Sequence, residues 1–380
     1  MQNEIDEKSN QRRKVLRKGY TTGSCATAAA KAAATLQFED QLESISIQTP
    51  NGTTLNLDLL DCVKTQQKTS CAIKKFSGDD PDITNGILVY AEVELAKNLP
   101  QKIQIFGGKG VGKVTMPGLA CEVGQPAINP TPRKMIEQAV SEVLDYYDYE
   151  GGANVTISIP QGEELAKRTY NPQLGIEGGL SILGTSGIVE PMSEQALIDT
   201  IKVEMDVRKA AGAENLVITP GNYGETFLKQ QMAGRSVYSV KCSNFIGDSL
   251  DYAEEKEFKS ILFVGHIGKL VKVAGGIMNT HSKYADSRME VLAAHAALCG
   301  ADRFLIEQIM NCITTDQAYE YLLNQGTEFV DQVIKSLLNK IEYHLENRTH
   351  HTMCVGAIMF SNKYGLLGKS KNADEILEKL

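Results

Sequence analysis

The sequence predicts two domains of different class: a mixed, largely antiparallel α+β domain over residues 1–185, and a Rossmann-like parallel α/β domain with extra C-terminal helices over 186–380. Three observations support this division. The chain has 380 residues, which is more than one average domain needs. Short strand patterns dominate the first half, whereas strands and helices alternate in the second. A glycine-rich segment at 169–190 separates the two patterns.

Composition and charge narrow the function classes. The formal net charge is −8, which argues against a nucleic-acid-binding protein. No stretch approaches the roughly 20 apolar residues that a membrane span requires, and the polar, basic start does not resemble a secretory signal. None of the 8 cysteines is in CxxC spacing, so we expect reduced thiols in a cytoplasmic protein. Homo-oligomer formation is left open.

The first predicted helix has hydroxyl-bearing residues at its start. Thr21, Thr22, Gly23 and Ser24 precede an alanine-rich run, and Ser and Thr are preferred helix caps. A helix start exposes backbone N–H groups that can hold a carboxylate or a phosphate. Most capped helices bind no ligand, so these residues alone favour an ordinary capped helix over an anion site.

Strands follow at 45–48, 53–59, 72–76, 87–95 and 103–106. The last of them leads into a glycine-rich stretch at 107–112. A nucleotide-binding glycine loop must open a helix, but here an extended run with Pro117 follows. We therefore expect a flexible hairpin or a lid over the substrate. A helix over 131–149 and a strand at 153–159 complete the predicted first domain.

The second half alternates strands and helices. Strands are predicted at 216–219, 237–241 and 261–264, with helices at 225–233 and 244–257 between them, which indicates a parallel sheet. The loops after these strands, at 220–224, 242–248 and 265–269, should form one crevice that suits a nucleoside-type cofactor. Helices continue to residue 347, and a late strand at 353–360 leaves open a return to the first domain.

The stretch 260–301 concentrates titratable side chains in its turns. Two histidines, His266 and His281, lie there with several lysines and an arginine. Neither HxxxH nor HExxH spacing is present, so we expect no metal site in the protein. A loop that is rich in titratable groups and follows a buried strand is typical of a functional site.

Several stretches together resemble one family. They are GYTTGSCATAAAKAA at 19–33, GLACEVGQPAINPTPR at 118–133, GTSGIVEPMSEQALIDTI at 184–201, ITPGNYGE at 218–225 and VGHIGKLVKVAGGIMNTHSKYADSRMEVLAAHAALCGA at 264–301. They are similar to the cobalt-precorrin-5B C1-methyltransferase family of anaerobic cobalamin biosynthesis, although Ser24 stands where a threonine is common. The resemblance implies methyl transfer from S-adenosylmethionine to C1 of cobalt-precorrin-5B, which gives cobalt-precorrin-6A and S-adenosylhomocysteine. Cobalt would be carried by the substrate only.

The resemblance also suggests roles for particular residues. We expect the cofactor to lie over Pro220, Gly221, Asn222, Gly224 and Gly265. We expect the carboxylates of the tetrapyrrole to bind Thr21, Thr22, Gly23, Ser24, Thr185, Ser186, Lys269, Lys272, Lys283 and Arg288. His266 or His281 would move a proton as the ring's double bonds rearrange. A nucleotide-linked oxidoreductase and a non-catalytic tetrapyrrole-binding protein remain as alternatives.

Overall fold

A computed structural model of the protein describes residues 16–97, 99, 101–231 and 238–380. The chain divides into two compact units, and the division falls between Ser193 and Glu194 rather than between residues 185 and 186. Both units combine helices with sheets, as predicted, and the sheets include both parallel and antiparallel pairs. No helix in the described ranges is long and apolar enough to cross a membrane.

The first unit is built on a five-stranded sheet. The unit as a whole contains the strands β1 (Gly19–Tyr20), β2 (Ser44–Gln48), β3 (Thr54–Asp58), β4 (Leu60–Lys64), β5 (Lys68–Lys74), β6 (Leu88–Ala96), β7 (Ile103–Gly107), β8 (Lys113–Val114), β9 (Gly152–Ser158), β10 (Ile176–Glu177) and β11 (Ile188–Val189). The sheet order is β4-β5-β6-β9-β7, and only the β7–β9 pair is parallel. The remaining strands form two-stranded pairs: β2 with β3, β1 with β11, and β8 with β10.

One face of this sheet is covered by helices. They are α1 (Thr22–Phe38) and α2 (Pro130–Tyr146), followed further along the chain by the short helix α3 (Gly162–Ala166) and a 3₁₀ turn at Asn171–Leu174. Every alanine of α1 is fully buried, because small side chains let the helix approach α2 and strands β5 and β6 closely. The alanine run is therefore a packing feature of the core.

The glycine-rich stretch at 107–112 is held by the fold, which argues against the flexible hairpin or lid that the sequence suggested. Gly110 is buried, and a Cβ there would lie 1.8 Å from the carbonyl oxygen of Ile159. The backbone of the stretch is also bonded on both sides, with Gly108 N donating to Ile157 O and Leu180 N donating to Gly110 O. Glycine is needed here because two backbone segments cross in contact.

The second unit is built on another five-stranded sheet. Its strands are β12 (Asn215–Thr219), β13 (Ser239–Lys241), β14 (Ser260–His266), β15 (Cys354–Ser361) and β16 (Gly365–Lys369), in the order β13-β12-β14-β15-β16. The first four pair in parallel and β16 is antiparallel to β15. The predicted late strand is thus β15, and its return to the first domain does not occur, because it pairs along β14 within the second unit.

Helices cover both faces of this sheet. They are α4 (Glu194–Ala210), α5 (Asn222–Gln231), α6 (Ile246–Glu255), α7 (Ile267–Ala274), α8 (Arg288–Leu298), α9 (Arg303–Met310), α10 (Thr315–Leu323), α11 (Thr327–Arg348) and α12 (Ala373–Glu378). Along β14, Ile261 and Phe263 enter one core, while Leu262 and Val264 enter the other with Phe227 of α5. The predicted end of the helix at 225–233 and the start of the strand at 237–241 include residues 232–237, which lie outside the described residues.

Candidate functional site

The order of the strands in the second unit singles out one place on the sheet. From β12 the chain proceeds to β13 on one side, whereas from β14 it proceeds to β15 on the other side. Adjacent parallel strands whose connections leave in opposite directions create a crevice at their carboxyl ends, and ligands of open α/β sheets bind there. The turns that flank this crevice are Pro220–Gly224 after β12 and Gly265–His266 at the end of β14.

The two turns touch each other closely. A Cβ added to Gly265 would lie 3.4 Å from Cγ of Pro220, and one added to Gly224 would lie 2.9 Å from the carbonyl oxygen of Val264. In contrast, a Cβ added to Gly221 would meet nothing within 4 Å, and Asn222 beside it is exposed. The turn after β12 is therefore anchored at Gly224 and open at its tip.

The loop after β13 joins the same edge. Cys242 N donates to Thr219 O at 2.8 Å, and the ammonium of Lys269 in the first turn of α7 donates to Oδ1 of Asn244. Asn244 also contacts the 279–287 loop, because Thr280 N donates to its carbonyl oxygen at 3.0 Å. The three loops that the sequence placed in one crevice are thus brought together.

Lys269 is the basic residue of this crevice that has no acidic partner. Its ammonium forms no ion pair with a described residue, and the side chain is partly buried. Burial, and then the nearby charge of Lys272, lower the pKa of Lys269 below its ordinary value. A partly desolvated cation without a carboxylate is suited to bind an anionic group.

Lys272, by contrast, is used inside the fold. It is 4% exposed, and its ammonium donates to Ala285 O at 2.8 Å and to Thr280 O at 3.3 Å. Because its donors are bonded to carbonyl oxygens, Lys272 holds the loop against α7, and the expectation of a free cation at this position is corrected.

The two other predicted cations are paired with acids. Lys283 forms an ion pair with Glu194, whose hydrogen bond raises the pKa of Lys283. Arg288 makes two hydrogen bonds to Asp286, and these lower the pKa of Asp286. Both pairs are solvent-accessible, so a substrate carboxylate would have to compete with a carboxylate that is already in place. Their role in substrate binding stays a prediction.

His266 caps a helix. Its Nδ1 accepts a hydrogen bond from Gly268 N at 3.1 Å, so a neutral ring carries its proton on Nε2, which lies 3.9 Å from Asp316 Oδ2. Burial lowers the pKa of His266, and the Asp316 charge opposes that shift. Neither ring nitrogen then offers a free lone pair, so in this arrangement His266 cannot act as a base.

His281 lies on an exposed part of the 279–287 loop. Its Nδ1 accepts a hydrogen bond from Lys283 N at 3.1 Å, so a neutral ring carries its proton on Nε2, as in His266, but here at an exposed position from which that proton can be donated. Of the two predicted histidines, His281 is the one that the structure leaves accessible for proton transfer. That role stays a prediction.

The start of α1 is closed by the chain itself. Gly23 N donates to Leu183 O at 3.0 Å, Ser24 N donates to Thr21 Oγ1, and Ser24 Oγ donates to Gly187 O at 2.7 Å. The expectation of free N–H donors is therefore corrected for Thr21, Gly23 and Ser24, since Thr21 N also donates to Gly187 O at 3.1 Å and this turn is buried. The hydroxyl of Thr22 is likewise bonded to the backbone of Leu183. Burial also raises the pKa of the Cys25 thiol to about 12.

Thr185 and Ser186 lie in the segment that closes α1. Thr185 is exposed, whereas Ser186 Oγ donates to Ile188 O at 3.0 Å. Thr185 thus keeps an accessible hydroxyl beside the helix start, and its contact with substrate stays a prediction.

Two residues near these sites escaped the sequence reasoning. Tyr223 is 66% exposed and lies between the open Gly221 and the packed Gly224, where an aromatic residue inside a glycine turn was the available signal. Arg133 ends the stretch GLACEVGQPAINPTPR and lies in the first turn of α2. Its position at a helix start, where acidic residues are usual, was the signal there.

Metal-ligating side chains are not grouped in the described part of the chain. No cluster of three or more His, Cys, Asp or Glu residues that could hold a metal ion is present among those residues. Two prominent surface cavities also lie away from the strand-end turns: one is lined by Lys102, Asp145 and Tyr149, the other by Ile334, Leu338 and Gly368.

Comparisons with known proteins cover both units. The CbiD family model matches residues 9–191, and the CbiD C-terminal domain model matches residues 279–371. A cobalt-precorrin-5B C(1)-methyltransferase of Ruminiclostridium cellulolyticum is 49% identical over 92% of this chain and 90% of its own length. A protein of the same name from Alkaliphilus metalliredigens is 44% identical over 96% of this chain and 95% of its own length.

One solved structure is also similar. The crystal structure of a cobalamin biosynthesis protein, CbiD, from Archaeoglobus fulgidus is 28% identical and covers 73% of this chain and 84% of that one, with a TM-score of 0.38.

Proposed function

The chain belongs to the cobalt-precorrin-5B C(1)-methyltransferase family, and we propose that its methyl donor binds at the crevice between β12 and β14. The protein transfers the methyl group of S-adenosylmethionine to C1 of cobalt-precorrin-5B, giving cobalt-precorrin-6A and S-adenosylhomocysteine in cobalamin biosynthesis. Cobalt enters with the substrate.

The observation that carries the proposal is the switch in strand order at Pro220–Gly224 and Gly265. A crevice at this position is where an open parallel sheet accepts a nucleoside-containing ligand. The residues fit such a ligand, because the tip of the turn is open at Gly221 while Gly224 and Gly265 keep the backbone close to the strand ends. Tyr223 adds an exposed ring that can stack on a purine.

The bound donor supplies an electrophilic methyl sulfonium. The protein's part is therefore to orient two reactants so that the ring carbon and the methyl group meet in line, which lowers the barrier by restricting their freedom in advance. In the second unit, Lys269 is suited to hold a carboxylate of the tetrapyrrole, because its ammonium has no acidic partner among the described residues. Lys283 and Arg288 would contribute by exchanging their present acidic partners.

Proton movement is assigned by elimination within the second unit. Both rings accept a backbone N–H at Nδ1, but Nε2 of His266 faces Asp316, whereas His281 is exposed on the 279–287 loop and can donate the proton of its Nε2. We therefore assign any protein-assisted proton transfer during the rearrangement of the ring's double bonds to His281. Replacing His281 with alanine should slow turnover and leave S-adenosylmethionine affinity unchanged.

Calorimetric titration of S-adenosylmethionine into variants of the turn tests the location. Tyr223→Ala and Asn222→Ala change exposed side chains, so they should preserve folding and each raise the Kd about fivefold to tenfold, a loss of about 1 kcal/mol. Tyr146→Ala, at an 80% exposed tyrosine of α2, is the matched control and should leave the Kd unchanged. Wild-type affinity in both turn variants would exclude this crevice as the donor site.

A further inference from the structure

Arg133 is a charged side chain without a partner. It lies in the first turn of α2, is partly buried, and makes no ion pair or side-chain hydrogen bond with any residue of the described ranges. A guanidinium is always charged. None of the side-chain nitrogens of Arg133 is among the buried polar atoms that lack a partner, so the guanidinium is unpaired and accessible to a ligand.

The helix start that contains Arg133 lacks acidic side chains. The first turns of both α1 and α2 contain no acidic residue, although acidic side chains are favoured at helix starts. The residue after Arg133 is a second base, Lys134, which is exposed. Arg133 and Lys134 thus form a small basic patch in a chain whose formal net charge is −8, and the next acidic residue of the helix is Glu137.

Cys121 and Asn129 are polar neighbours of Arg133. The charge of Arg133 partly offsets the effect of burial, which raises the pKa of the Cys121 thiol. That thiol donates to Ile128 O at 3.2 Å and lies 3.8 Å from Asn129 Oδ1. Asn129 precedes α2 but makes no side-chain capping bond, so its amide N–H groups are left without a partner in the described structure.

Three stretches of the first unit meet beside this patch. A Cβ added to Gly23 would lie 2.7 Å from Cγ of Pro132 and 3.1 Å from the carbonyl oxygen of Leu183. The start of α1, the start of α2 and the 181–187 segment are therefore in van der Waals contact. The backbone donors of Thr21, Gly23 and Ser24 are used internally, whereas the side-chain donors of Arg133 and Asn129 on the α2 side are not.

We propose that Arg133 binds a carboxylate of the tetrapyrrole substrate, with the side chain of Asn129 as a second donor. The inference rests on the proposed function only in taking the substrate to be the carboxylate-bearing ring. It does not depend on where the methyl donor binds. A planar guanidinium matches a carboxylate with two parallel hydrogen bonds, which a lysine does not reproduce.

Steady-state kinetics of Arg133→Gln with cobalt-precorrin-5B test the proposal. We expect KM for the tetrapyrrole to rise at least tenfold, because a charge-assisted pair is lost, while the Kd of S-adenosylmethionine and the melting temperature stay at wild-type values. Arg133→Lys should recover part of the loss. Raising the salt concentration should increase KM of the wild type more than that of Arg133→Gln, because the screened ion pair is absent from the variant.

Lys134→Gln is the matched control, since it removes the same charge from the same helical turn at an exposed position. It should change KM less than about twofold. Equal effects of the two variants would indicate a general field and overturn the specific role of Arg133, as would an unchanged KM in Arg133→Gln. A change in S-adenosylmethionine affinity in the turn variants, measured without tetrapyrrole, reports on the donor crevice separately.

Discussion

The starts of α1 and α5 look similar in sequence and differ in the structure. Both follow a strand, and both contain glycine with small polar residues. At α1 the backbone donors are bonded to Leu183 and to Thr21, and the turn is buried. At α5 the tip is open at Gly221, and Asn222 and Tyr223 are exposed.

The difference teaches that a helix start is a binding site only where the fold leaves its donors unpaired. The chemistry of the residues is insufficient, because the same N–H groups can serve a ligand or a distant carbonyl group. In the first unit the 181–187 segment covers the helix start and its carbonyl groups accept hydrogen bonds from there. In the second unit no described segment covers the corresponding turn.

The contrast can be tested most strongly with alanine at one glycine of each region. In Gly184→Ala, a Cβ would lie 2.4 Å from Thr21 Oγ1 at a backbone φ of +129°, so we expect the free energy of unfolding to fall by about 3 kcal/mol. Gly221→Ala meets open space and should change it by less than about 0.5 kcal/mol. Urea unfolding followed by circular dichroism measures both.

If Gly184→Ala were as stable as Gly221→Ala, the segment around residue 184 would not be closed onto α1. Binding of S-adenosylmethionine should show the opposite pattern. Gly221→Ala should weaken the binding, whereas the fraction of Gly184→Ala that folds should bind it normally.

A hydroxyl at the closed start provides a smaller effect. Thr22 Oγ1 accepts from Leu183 N at 2.9 Å and lies 3.3 Å from Leu183 O, where it can donate. Thr22→Val keeps the shape but removes the partner of the partly buried Leu183 N–H and of the carbonyl oxygen of Ser181, so the expected loss of stability is about 2 kcal/mol. Thr226→Val, at an exposed position of α5, serves as the control. Full stability in Thr22→Val would show that solvent or a ligand can take over this role.

The smallest expected effect concerns His266. Its burial lowers the pKa of the ring, so the unfolded chain binds a proton more readily than the folded one. Stability contributed by the neutral ring is therefore present above the ordinary pKa of 6.5 and is lost as the pH falls below it.

His266→Asn should retain the cap, since Asn is a preferred capping residue, and should lose less stability than the wild type between pH 7 and pH 5. Thermal unfolding at the two pH values measures this difference. An identical loss in both proteins would show that other groups, such as the partly buried His295 and His344, whose pKa values are also lowered by burial, dominate acid sensitivity.

Local patterns predicted the second unit well. Alternating strands and helices imply a parallel sheet with its loops at one edge, and the contacts of Pro220 with Gly265 and of Lys269 with Asn244 follow from that arrangement. Those inferences succeed because they depend on connections between consecutive elements.

Contacts that join distant segments could not be predicted in the same way. No periodic pattern in the sequence indicates that Gly23 pairs with Leu183, and that contact was missed. The backbone crossing at Gly110 has no such pattern either, and the stretch was expected to be a flexible hairpin or a lid. The partners of Lys272 and Lys283 could not be predicted either, because a lysine in a sequence does not show whether its ammonium bonds a carbonyl group or a carboxylate. They lie 8 and 13 residues from Lys272 and 89 residues from Lys283.

The position of β15 has a consequence for how the protein is made. This strand lies between β14 and β16 in the sheet, yet it is synthesised only after the five helices from α7 to α11. On a ribosome the first unit can assemble while the remainder is still being translated. The second unit must wait with an unfilled sheet edge until residues 354–361 have been synthesised, and a nascent chain cut short before residue 354 should be a target for chaperones and proteases.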